Sequence, residues 1–98
     1  MSKPAFYIQE NSWLAKLAAK TLNADSVAMV LGKTIHLYGS TKEKFLADDR
    51  WVKHELCHLK QFAANGFVMF TLKYLWESLR VGYYNNKYEI EARAAENI

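Results

Sequence analysis

Apolar and polar positions recur along this chain in two rhythms, and the changes of rhythm mark the elements. Trp13, Leu14, Leu17, Ala18, Thr21 and Leu22 recur at helical spacing, with Lys16 and Lys20 outside their stripe. Asn11 or Ser12 can cap this helix, which is expected to end near Asn23. Val27 to Leu31 and Thr34 to Tyr38 are β-branched and aliphatic runs separated by Gly32-Lys33, a Gly-X pair suited to a type II′ turn. A two-stranded ribbon is therefore expected. Gly39-Ser40-Thr41 ends it, and Lys42 to Ala47 reads as a loop or short turn leading to Asp48 and Asp49. Both aspartates suit the N-cap of a following helix, whose positive end favours their charge.

The run from Arg50 to Phe62 is helical again. Trp51, Val52, Leu56, Leu59, Phe62 and Ala63 project into one broad sector, and Asn65-Gly66 closes the segment, since glycine accepts the left-handed C′ conformation. Phe67 to Arg80 reads as a helix that is apolar nearly all round, except for a narrow stripe of Lys73, Glu77 and Arg80. Such a helix is expected to be mostly buried, although its aromatic residues could also meet a membrane surface or a partner. Gly82 ends it, and Asn85 or Asn86 caps a last helix from Lys87 to about Glu96. The expected fold class is α+β, mainly helical, with about four helices and a small hairpin preceding the central helix, all in one domain over residues 1–98.

The central helix carries the chemistry. His54-Glu55-Leu56-Cys57-His58 reads HExxH, and two histidines four apart emerge about 40° from one another on one face. Neutral imidazoles are natural Zn²⁺ ligands, and a catalytic zinc takes three protein ligands while leaving one position to water. Glu55 is placed to take a proton from that water. By chance the motif would arise in roughly a few per thousand chains of this length, so its context matters: it lies mid-helix, with an apolar sector adjoining the histidine face.

Composition narrows the setting. The 98 residues, 51% hydrophobic and 23% charged, are those of an ordinary globular domain. Cys57 is the single cysteine, which excludes an internal disulfide; one position before His58 it points about 100° away from it, as a small packing residue would. No secretory core occupies the N-terminus and no apolar run is long enough to span a bilayer, so a cytoplasmic location is expected, with peripheral membrane contact left open. The net charge of +3 comes from scattered lysines without a basic run, and nucleic acid is not an expected partner.

Two histidines of one helix need a third ligand. A metzincin extension would require Gly at position 61 and His at 64, where Gln61 and Ala64 stand. His36 falls on a strand whose alternation groups it with Thr34 and Tyr38, on the face expected to be solvated. A carboxylate is the better candidate, and Glu89 and Glu91 are both within reach. Glu89 has a structural alternative, because Asn86 at the N-cap with Glu89 three residues on has capping-box spacing.

HELCH followed by Asn86-Lys87-Tyr88-Glu89-Ile90-Glu91-Ala92 resembles the gluzincin metallopeptidases, in which a glutamate from a later helix joins the HExxH pair. The chain's brevity brings it closest to the single-domain minigluzincins and related small bacterial metallopeptidase-like proteins, over Val27 to Ala95. The resemblance implies zinc held by His54, His58 and Glu89, with Glu55 as general base and acid, and a peptide or protein as substrate. It departs at Arg93, where many gluzincins carry an Asp that orients a ligating histidine. Another carboxylate, a carbonyl or water must then take that role. Tyr83 and Tyr84 are available as oxyanion donors. The second reading is a catalytically silent zinc-binding or interaction module on the same fold, resting on the missing Asp and on the aromatic helix.

Overall fold

The computed structural model describes residues 6–98. Its order is β1 (Tyr7–Gln9), α1 (Trp13–Leu22), β2 (Val27–Leu31), β3 (Thr34–Tyr38), α2 (Lys42–Ala47), α3 (Asp49–Asn65), α4 (Phe67–Val81) and α5 (Lys87–Ala95). The α+β class and the hairpin before the central helix are as expected. Two elements are additional. Lys42–Ala47 closes into a short helix because the Thr41 side chain accepts the Lys44 N–H. Tyr7–Gln9 pairs in parallel with β3, making a three-stranded sheet of order β1-β3-β2. A three-residue strand shows too little alternation to be read from sequence.

The antiparallel pairing sets Ala28 against Leu37 and Val30 against Ile35, so these residues share the face that receives the helices. Val30, Ile35 and Leu37 meet Phe45 of α2, Phe62 of α3 and Phe70 of α4 in the main core. Gly32 takes the positive φ (63°) that the first position of the turn requires. Phe45 is fully buried and packs edge-on to Trp51, with ring centroids 5.1 Å apart, which ties α2 to the first turn of the HExxH helix. Phe45→Ala is expected to cost about 3–5 kcal/mol. Thermal unfolding should then show the midpoint falling by more than about 10 °C.

The opposite sheet face is covered as well, which corrects the expectation for His36. Ala15 and Ala19 of α1 pack over Val27, with Met29 and Tyr38 beside them, and the His36 Nδ1 lies 2.8 Å from Ser12 Oγ. Strand alternation shows which residues share a face but not whether a helix crosses it. The same packing rotates α1 away from its expected orientation. Its small-residue edge lies against the sheet, while Trp13 and Leu17 are exposed. Alanines let the helix approach closely; bulk at those positions would hold it off.

The largest correction concerns α4. Only Phe70 and Glu77 are buried, whereas Val68, Met69, Leu72, Leu75, Trp76 and Leu79 are exposed. The helix packs through one edge, and no further element among the described residues covers the other. Glu77, expected on the solvated stripe, instead accepts from Arg80 (2.9 Å) and from the Lys87 N–H (3.2 Å) at the start of α5.

Candidate metal centre

Three devices place the site. Asp48 caps α3, its Oδ1 accepting the Trp51 N–H at 3.1 Å, and so starts the helix that presents His54 and His58. Gly66 separates α3 from α4 with φ 81° and ψ 157°. That is positive φ on an extended backbone rather than the left-handed helical conformation expected, and it is a region essentially reserved for glycine. Fully buried Asn86 caps α5: its Oδ1 accepts the Tyr88 N–H (2.8 Å) and its amide donates to the Tyr74 carbonyl (3.1 Å) and Ser78 Oγ (2.9 Å). This residue fixes α5 against the end of α4, and the helix then crosses α3.

There, ligand-type atoms of His54, His58 and Glu89 lie within 4.8 Å of one another. His54 Nε2 is 3.2 Å from Glu89 Oε1, and His58 Nε2 is 3.1 Å from Glu89 Oε2. Both remaining ring nitrogens are held. His54 Nδ1 lies 2.8 Å from Glu96 Oε2, and His58 Nδ1 lies 2.9 Å from Gln61 Oε1. The Gln61 amide donates from its nitrogen to the Tyr88 carbonyl and Glu91, which leaves its oxygen facing the imidazole. Acceptors at both Nδ1 atoms put the ring protons there and aim both Nε2 lone pairs at Glu89. Two lone pairs facing a carboxylate repel unless a positive charge lies between them. A proton can serve, and so can a metal cation.

The electrostatics agree. Burial alone would lower the His54 pKa, but hydrogen bonds to Glu89 and Glu96 outweigh it and raise the value; Glu89 likewise outweighs burial at His58. Burial would raise Glu89, yet its histidine partners, with the Tyr74 hydroxyl donating at 2.6 Å, hold it well below the usual carboxylate range. Glu55 behaves oppositely. Only 3% exposed, it is pushed up to about 8, first by burial, against the attraction of His58 and with repulsion from Glu89 and Glu96.

The capping-box alternative for Glu89 is not the one realised, since its carboxylate is turned to the histidines and Tyr74. Glu91 faces elsewhere, accepting from Gln61 Nε2 (3.0 Å) and Cys57 Sγ (3.5 Å). Cys57 stays outside the cluster, and burial followed by the Glu91 contact pushes its thiol up to about 11. Arg93 stacks on Tyr84, while the carboxylate beside His54 comes from Glu96, two helical turns after Glu89. Tyr83 lines the space next to His54 and Glu55; Tyr84 is not among those lining residues.

Glu96, Gln61 and Tyr74 are the site residues that sequence reasoning missed. Gln61 and Glu96 carried a readable signal, one at i+3 from His58 and the other at i+7 from Glu89. Tyr74 arrives from a separate helix, and no local spacing announces it.

Clefts of about 620 and 560 Å³ meet around His54 and Glu55. Both are lined by Val27 and Ala28 of β2, one of the two edge strands of the sheet. Comparison with known proteins finds no matching family model, and no curated protein or solved structure of significant similarity.

Proposed function

We propose that this chain is a zinc-dependent metallopeptidase domain of gluzincin type, hydrolysing peptide bonds. The observation that carries the reading is the aiming of two imidazole Nε2 atoms at one carboxylate beside a buried, non-ligand glutamate. His54, His58 and Glu89 would hold Zn²⁺, a donor set that matches catalytic zinc. When bound, zinc polarises a carbonyl and makes water more acidic. Glu55 takes the proton of the attacking water and passes one to the leaving amine. Its raised proton affinity in the metal-free protein suits that exchange near neutral pH, and a nearby dication would favour its charged form. Tyr83, which lines the same cleft as Glu55, would donate to the developing oxyanion.

An extended peptide would suit the cleft because the outer edge of β2 has no strand beside it among the described residues. Glu96 supplies the orienting carboxylate whose loss at position 93 favoured a silent module, so the active reading is preferred. The lone free cysteine is compatible with a reducing cytoplasmic setting.

The test is joint measurement of zinc and hydrolysis. Protein purified without chelator should carry close to one equivalent of Zn²⁺ and cleave a mixed-peptide library, and chelation should stop cleavage. Zinc without cleavage would leave the silent zinc-binding module. Among ligand variants, Glu89→Gln should weaken zinc substantially and Glu91→Gln should not. Glu96→Ala should weaken it about 10–100-fold through loss of His54 orientation. Equal zinc affinity in wild type and Glu89→Gln would remove Glu89 from the site.

A further inference from the structure

The outer face of α4 is the largest feature that the metal centre leaves unused. At 100° per residue, Leu75, Val68, Leu79, Leu72, Trp76 and Met69 fall in that angular order over about 120°, centred opposite buried Phe70. Trp76 is 67% exposed and Leu79 83%. Scattered surface leucines need no explanation, but a continuous stripe with a tryptophan does.

The charges beside the stripe indicate what covers it. Arg80 and Lys73 flank its Met69 edge, and both are exposed. Arg80 reaches back to buried Glu77, while among the described residues Lys73 Nζ holds the neutral Asn65 Oδ1, at 2.9 Å, and no carboxylate. The exposed surface of α4 carries no acidic side chain. The α4 helix of a second copy docked face to face would bring no exposed acidic side chain to Lys73, whereas anionic lipid supplies anions. Fifteen residues make a helix about 22 Å long, short of the ~30 Å hydrocarbon core. No helix among the described residues is long and apolar enough to cross a membrane.

We propose that α4 is a membrane-surface helix that lies in the headgroup region of anionic bilayers, with Trp76, Leu72 and Leu79 inserted and Lys73 on lipid phosphates and carboxylates. An apolar stripe edged by cations is the pattern of interfacial helices, and tryptophan favours that depth. Leu75 also lines the cleft, so docking would set the cleft mouth beside the bilayer. The proposal stands on α4 alone and is independent of zinc.

The full chain should co-sediment with phosphatidylcholine vesicles containing phosphatidylserine, far less with phosphatidylcholine alone, and less as salt rises. Tryptophan emission should shift to the blue on binding, and Trp76→Phe should remove most of that shift. Leu72→Glu with Leu79→Glu, both at exposed positions, should cut binding at least about tenfold. Lys73→Gln should cut it about fivefold. Circular dichroism would check that each variant keeps its helices. Absence of vesicle binding, or binding unchanged by the double substitution, would overturn the proposal. So would a lipid-free dimer, seen by sedimentation equilibrium, that buries Trp76 and binds no vesicles.

Discussion

Replacing Glu55 by glutamine is expected to lower peptide hydrolysis about 10²–10⁴-fold while zinc content stays at the wild-type level. The split follows from position. Glu55 follows His54, the first proposed ligand, on the same helix, yet it lies outside the His54–His58–Glu89 cluster. Glutamine has its shape, so a side chain this buried is replaced without a cavity. What disappears is the capacity to accept the water's proton. A second readout, needing no substrate, comes from linkage. Glu55 has a folded pKa of about 8 against an ordinary 4.5, so its neutral form is favoured by folding. That stability is fully present below pH 4.5 and is lost as pH rises through 8. Metal-free wild type should therefore lose stability over that window relative to Glu55→Gln, measured by urea unfolding at a series of pH values. Hydrolysis that survives unchanged in Glu55→Gln would point to a contaminating protease.

The parts of this molecule that could be read from sequence are those where one local rule decides. Gly32-Lys33 between two β-branched runs specified the hairpin, the Asp48-Asp49 pair the start of the central helix, with Asp48 the one that caps it, and the four-residue spacing of His54 and His58 their common face. What escaped was decided between elements. α1 turns its alanines inward because the sheet is close, a fact about Val27 and Tyr38 rather than about the helix. α4 has an apolar face on each side, and periodicity cannot tell a helix with two buried faces from one with a single neighbour. Among the described residues no element covers the second face. Its stripe reads as core until the count of neighbours is known. At the centre the same distinction holds: HExxH is local and legible, while the Tyr74 donor and the orientation of Glu89 depend on how α4 and α5 cross α3.

His58→Ala is expected to abolish stoichiometric zinc and also to destabilise the metal-free protein. The first effect is a matter of ligand number, since His54 and Glu89 alone make too poor a site for tight binding. The second comes from what is left behind. In the metal-free protein Glu89 is 4% exposed, and against the pull of burial it is kept ionised by the protonated forms of His54 and His58 and by the Tyr74 hydroxyl. Removing the more buried histidine strips one partner from an inaccessible carboxylate and frees Gln61 Oε1 as well. Breaking a buried pair in this way costs about 3–5 kcal/mol. His54→Ala should lose zinc equally but cost less stability, because Glu96, its other partner, is partly solvated. Glu89→Ala with His58→Ala should recover part of the loss by deleting the stranded charge, so the two substitutions would be non-additive. Metal analysis and chelated thermal melts on these three variants and on Glu89→Ala alone separate these effects. Full zinc content in both single histidine variants would end the proposed centre, and additive stability losses would show that the His58–Glu89 contact contributes little to holding α5 on α3.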